Sequence, residues 1–248
     1  MPADATAPTA DFRRAALLWS GGKDSALALH HAREDHPDLR IDRLVTCLSE
    51  AFDRVSMHGV RRQLIEDQAA ALGLPVEFVA IPSPPDTTVT GPGTSFPPND
   101  VYAAAMLAAL NRLKSEGVEV VVFGDIFLED LRAYRETLLA AAGLQGRYPL
   151  WGRDTADLYD EFVALGFRAV TVCVDASRLT ERHLGRDLDG AFRDSLPPGV
   201  DVCGERGEYH SFAFAGPPFS RPVAFTRGGV HRQPPFAFLE LLPVEPPA

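Results

Sequence analysis

A short apolar run, Leu17-Leu18-Trp19, passes through Ser20-Gly21-Gly22-Lys23-Asp24-Ser25 directly into Ala26-Leu27-Ala28-Leu29-His30. The order reads as a strand, a glycine turn and a helix, which commits this end of the chain to a βα unit. Such a turn aims several backbone N–H groups, and the positive end of a helix dipole, at one point that suits a phosphate. The two glycines let an anion approach the backbone closely. Ser20 and Ser25 add hydroxyl donors, and Lys23 adds a mobile positive charge. Of 24 lysines and arginines, lysine occurs only at 23 and 114. A compact ammonium at the turn, where the chain elsewhere uses arginine, fits a phosphate site; Lys114 reads as an ordinary exposed helix residue.

Around this unit, strand and helix alternate. Residues 15–19, 41–49, 76–81 and 118–123 are rich in Val, Ile, Leu and Phe and read as strands. Residues 25–34, 59–72 and 100–116 read as helices, the last two ending at Gly73 and Gly117. This order implies an α/β fold with a doubly wound parallel sheet. Ligands of such sheets sit beyond the carboxyl ends of the strands, where Ser20, Glu50 and Gly124 fall. Residues 82–98, dominated by Pro, Gly, Thr and Ser, read as a long loop, either a lid or a plain insertion. Further on, 128–142 and 154–165 read as helices. Residues 167–174, 211–215, 222–226 and 236–242 read as strands. The expected organisation is a tail at 1–10, a nucleotide-binding domain at 11–143 and a smaller α+β substrate domain at 144–248.

The 248 residues carry a net charge of −10. A nucleic-acid grip needs a basic face, and only short pairs such as Arg13-Arg14 and Arg61-Arg62 occur. A small molecule or a protein is the expected substrate. Cys47, Cys173 and Cys203 are scattered, so neither a zinc site nor a disulfide framework is indicated, and a reducing cytoplasm fits. No apolar run is long enough to span a bilayer, and the first ten residues lack the order of a signal peptide.

A Walker A loop, G-x-x-x-x-G-K followed by Ser or Thr, does not match, because Leu17 stands at the first glycine and Asp24 follows the lysine. A G-x-G-x-x-G fingerprint fails too. The remaining pattern, S-G-G-x-D-S after a strand, resembles the pyrophosphate loop of the N-type ATP pyrophosphatases, the adenine nucleotide alpha hydrolase-like group. Three more stretches sharpen the resemblance: Gly124-Asp125-Ile126, Pro149-Leu150-Trp151, and Cys203-Gly204-Glu205-Arg206-Gly207-Glu208-Tyr209-His210. In this order they resemble the diphthine–ammonia ligase family, from about residue 15 to about 219. This chain departs from the usual G-E-G-G-E by carrying Arg206.

The resemblance implies a HUP-type, Rossmann-like nucleotide domain and ATP-dependent amidation. A carboxylate attacks the α-phosphorus of ATP, pyrophosphate leaves, and ammonia displaces AMP from the acyl-adenylate. In the family the acceptor is diphthine, a modified histidine of an elongation factor. Expected partners are ammonia and a carboxylate acceptor, a protein side chain or a small molecule. No nucleic acid and no membrane are expected, and a homodimer is left open. The implied cofactors are ATP and Mg²⁺.

Ser20, Gly21, Gly22, Lys23, Asp24, Ser25, Gly124, Asp125 and Arg135 are the expected nucleotide contacts. Asp24 and Asp125 are the expected Mg²⁺ ligands, with a helix cap and a turn aspartate as the plain readings of each. Lys23, Glu205, Glu208 and His210 are the expected catalytic set, the last three otherwise a solvated hairpin turn. Arg132 and Glu136 are spaced to pair on a helix surface. His58, Trp151 and Tyr102 are expected chiefly to pack. Two rival functions are an ATP- or AMP-binding module without turnover and a tRNA-modifying enzyme with the same loop. The 205–210 block argues against the first, the scattered cysteines and acidic balance against the second. A glutamine-fed synthetase would need a glutaminase domain that this length does not accommodate.

Overall fold

The glycine turn at 20–25 does join a strand to a helix, and the alternation around it continues. The computed structural model describes residues 12–82 and 99–244. The strands are β1 Arg13–Leu18, β2 Leu39–Ser49, β3 Arg54–Val55, β4 Val76–Ile81, β5 Val120–Val122, β6 Gln145–Arg147, β7 Arg168–Asp175, β8 Tyr209–Ala215, β9 Phe225–Gln233 and β10 Phe236–Pro243. The helices are α1 Lys23–Glu34, α2 Arg62–Leu72, α3 Asn99–Ser115, α4 Glu129–Ala142, α5 Thr155–Ala164 and α6 Gly190–Asp194, with a 3-10 turn at Glu181–His183.

β4, β2, β1, β5 and β6 pair in that order, all parallel. β3 adds two antiparallel pairs at the far end of β2. The chain winds outward from β1 to β2 and β4, then crosses back to β5 and β6. The switch point therefore lies between β1 and β5, where an open α/β sheet binds its ligands. Successive residues feed opposite faces. Ala15, Leu17, Val120 and Val122 join a core with α1 and α2, while Ala16 and Val121 join one with α3 and α4. Helices on both faces explain why these strands are apolar throughout.

The second sheet is antiparallel in the order β8, β7, β10, β9. Its residues share the core of α1 and α2, so the two sheets are packed together around the site. Two elements differ from expectation by three residues or more at an end. α2 starts at Arg62 because Met57 (φ 68°) and Gly59 (φ 69°) are left-handed, which no right-handed helix accommodates. The last-but-one strand begins at Phe225 and runs through Gly228 and Gly229 to Gln233; β10 pairing overrides their turn preference. β6 extends the first sheet beyond the expected boundary at 144. The expected tail at 1–10 and residues 83–98 of the expected loop lie outside the described residues. Among the described residues, no helix is long and apolar enough to cross a membrane.

Candidate active site

At the switch point a cleft of about 650 Å³ opens between the 20–25 loop, the end of β5, α4 and the segment 203–211. The loop's shape follows from its glycines. Gly21 is left-handed (φ 81°), and a Cβ there would stand 2.7 Å from Ile65 Cδ1. A Cβ on Gly22 would stand 2.9 Å from His58 Cε1 and 3.2 Å from the Ser211 carbonyl. One on Gly124 would meet the Asp24 carbonyl at 2.9 Å, so Gly124 packs the end of β5 flush against the loop.

The second sheet pins the same loop. The Gly21 carbonyl accepts from Ala213 N–H at 2.8 Å and from Gln68 Nε2 at 2.9 Å. Lys23 N–H donates to Ser211 Oγ at 3.1 Å. Gly22 N–H donates to Ser20 Oγ, and Ser25 Oγ donates to the Gly22 carbonyl. Gln68 is fully buried; its Oε1 accepts from Trp19 Nε1 and its Nε2 also donates to the Ala213 carbonyl. Sequence reasoning missed Gln68. A glutamine on a helical apolar face gives no signal of its own until its partners are known.

Lys23 is buried in the cleft wall. Its Nζ lies 2.6 Å from Asp24 Oδ1 and 5.7 Å over the Tyr209 ring. Burial lowers the ammonium's pKa, but Asp24 and then Glu205 outweigh it, so the group stays charged. Asp24 is raised by burial, Asp201 and Asp125 against the pull of Lys23. Across the cleft Asp125 forms an ion pair with Arg135, at 3.0 Å from Nη2 to Oδ1 and 2.6 Å from Nε to Oδ2. The second contact is misdirected, leaving Oδ2 and Nε buried without a hydrogen bond. A carboxylate oxygen without a directed hydrogen bond, beside a second acid, Asp24, suits a cation. Among the described residues no three metal-ligating side chains gather. Two carboxylates are the usual protein share for Mg²⁺, the rest coming from phosphates and water.

The segment 201–208 is wound around two carboxylates. Asp201 Oδ1 accepts from Cys203 N–H and Glu205 N–H. Glu208 accepts from Asp201 N–H at 3.1 Å and Arg206 N–H at 3.0 Å, with Arg178 Nη1 at 3.4 Å. Glu208 is wholly buried and does not line the cleft. The expectation that it takes part directly is therefore corrected: its oxygens are taken up by the loop they organise. Glu205 does line the cleft, and its Oε1 accepts from Ile126 N–H at 2.8 Å. Burial, then Asp24 and Asp125, push its carboxyl up to about 7 against Ile126 N–H and Lys23.

His210 lines the cleft beside His58, their rings 4.7 Å apart. His58 Nδ1 sits 3.1 Å from the Ser211 carbonyl, which makes Nδ1 the protonated nitrogen. Burial, with Lys23 adding, lowers His58 to about 4; burial, His58 and Lys23 push His210 well below its ordinary value. Both rings are thereby held neutral at pH 7. His58, expected to pack, is a wall of the site. Tyr102 packs and also lines the cleft beside Tyr134. Trp151 packs as expected, with Arg132 stacked on it and on Tyr148 rather than paired with Glu136. Burial pushes the cleft thiols Cys47 and Cys203 up to about 11 and about 12, so neither is a thiolate nucleophile at neutral pH.

Two family comparisons match this architecture half by half. The diphthamide synthase N-terminal domain matches residues 13–83, and the diphthamide synthase C-terminal domain matches residues 154–229. The chain is similar to the diphthine–ammonia ligase of Bos taurus, at 30% identity over 85% of this chain and 82% of that protein. The Danio rerio enzyme is 28% identical over 89% of this chain and 90% of its own length. The Homo sapiens enzyme is 29% identical over 85% and 82%. Among solved structures, the U34-tRNA thiolase NcsA of Methanococcus maripaludis superposes on 62% of this chain and 57% of that chain, at 17% identity and a TM-score of 0.36. That likeness is too partial to bear on function.

Proposed function

The chain belongs to the diphthine–ammonia ligase family, ligases that form a C–N bond, and from that premise we propose that it adenylates a carboxylate and amidates it with ammonia. The acceptor carboxylate oxygen attacks the α-phosphorus of ATP, and the bond to pyrophosphate breaks. Ammonia then attacks the acyl carbon, AMP leaves with the C–O bonding pair, and the nitrogen sheds one proton. Diphthine is the acceptor to test first, since the relatives' activity is named for it.

The observation that carries this reading is that Glu205, a half-buried carboxyl raised to about 7, shares one cleft with the buried cation Lys23. A base poised near the working pH is what removal of the ammonia proton requires. Lys23 and the donors of the 20–25 loop stabilise charge at the phosphates from fixed positions. Arg135, packed 4.7 Å over Phe123, holds Asp125 at the end of β5. Asp24 and Asp125 would hold Mg²⁺, which when bound neutralises charge on the phosphate oxygens. Neutral His58 and His210 offer ring nitrogens to a polar substrate group without adding charge, and His210 Nε2 is buried with no partner.

The test is the nucleotide product. The protein is incubated with Mg-ATP, ammonium and elongation factor carrying diphthine, alongside a pool of other carboxylates, and AMP plus pyrophosphate is measured against ADP plus phosphate. Acceptor-dependent AMP and pyrophosphate are expected. ADP and phosphate would end the adenylation reading.

A further inference from the structure

Among the described residues, three permanent cations line the cleft: Lys23, Arg135 and Arg206. Lys23 is paired with Asp24 and Arg135 with Asp125. Arg206 has no acid partner among the described residues. Its guanidinium rests 5.2 Å over the Phe127 ring, and the residue is exposed at the cleft mouth. Its backbone is fixed, with N–H on Glu208 Oε2 and left-handed glycines at 204 (φ 71°) and 207 (φ 83°).

We propose that Arg206 is a phosphate-binding residue of this cleft, holding the pyrophosphate end of the nucleotide together with the 20–25 loop. The inference rests on the nucleotide reading above. Charge balance carries it. The Lys23–Asp24 and Arg135–Asp125 pairs cancel, and the chain as a whole is at −10. Among the described residues, Arg206 is therefore the one permanent cation of the cleft left uncompensated for an anion that arrives without a metal ion.

The loop that carries Arg206 spends most of its backbone donors on itself. The N–H groups of 201, 203, 205 and 206 all point inward to Asp201 and Glu208. A guanidinium reads phosphate oxygens two at a time, which an ammonium does not. Stacking on Phe127 limits the side chain's freedom before the ligand arrives, which lowers the ordering cost of binding.

The experiment is calorimetric titration of the full chain with sodium pyrophosphate, Mg-ATP and AMP, in the wild type, Arg206→Gln and Arg206→Lys. Arg206→Gln is expected to weaken pyrophosphate and Mg-ATP by about tenfold and AMP by less than about twofold, with Arg206→Lys in between. Wild-type affinity should also fall more steeply with added KCl than that of Arg206→Gln. Equal pyrophosphate and Mg-ATP affinity in Arg206→Gln and wild type overturns the phosphate contact and leaves the nucleotide site standing. Equal weakening of AMP overturns its assignment to the pyrophosphate end. A wild type that binds neither pyrophosphate nor Mg-ATP overturns both readings.

Discussion

The two loops that face each other across the cleft are built on opposite plans. The 20–25 loop is shaped by absence: its glycines leave room for Ile65, His58 and the Ser211 carbonyl to press in, and they fix the backbone from outside. The 201–208 loop is shaped from within, by Asp201 and Glu208 gathering its N–H groups. The first plan presents a cation and backbone donors to the cleft. The second turns its backbone away and presents side chains, Glu205 and Arg206. Two glutamates three residues apart thus differ in placement: Glu205 faces the cleft, and Glu208 is spent on the loop's own backbone.

The largest test of the comparison is on the first loop. Lys23→Ala removes the buried cation of the cleft and is expected to lower AMP formation by about 10²–10³-fold, read in the product assay. Next is Glu205→Gln, expected to cost about 10²-fold in turnover, the low end for loss of a general base. As Glu205 must be ionised to accept a proton, wild-type kcat/KM should rise with pH through about 7, and that limb should vanish in the variant. Linkage gives a second check. A carboxyl raised from its ordinary value to about 7 stabilises the fold below pH about 4.5 and loses that contribution as pH rises through 7. Wild-type stability should therefore fall relative to Glu205→Gln across that window in urea titrations.

Glu208→Leu should break the architectural plan instead. Two buried N–H groups lose their acceptor, so the variant should unfold about 2–3 kcal/mol more easily in urea, with Glu208→Gln recovering part of the loss. If Glu208→Leu kept wild-type stability and lost only turnover, the division of labour between the two glutamates would be wrong. The smallest expected effect is Gly22→Ala, about 1–2 kcal/mol by thermal melting, because His58 and the Ser211 carbonyl must move a few tenths of an ångström.

Much of the first half was legible in the sequence because its rules are local. Strand periodicity, Gly73 and Gly143 as left-handed helix stops, and the turn at 20–25 are decided within a few residues. α2 was misjudged at its start because Gly59 is left-handed and Arg61, the N-cap, is extended, so the helix begins only at Arg62. β6, a three-residue strand, carries too little pattern to read and exists because β5 offers it an edge.

For the site, the sequence alone determined which residue types gather: a glycine turn with its lysine, an aspartate after β5, and an acidic block near β8. Order along a doubly wound sheet fixed where the glycine turn and the aspartate would meet, and the second sheet brought in the acidic block. Only the tertiary structure decided their states. It buried Glu208 inside its own loop, raised Glu205 by withdrawing it from water beside Asp24, and neutralised His58 and His210 by enclosing them next to Lys23. Backbone shape follows from near neighbours in the chain. Protonation and pairing depend on solvent exclusion and on charges brought in from distant segments, and those are set only when the two sheets close on one another.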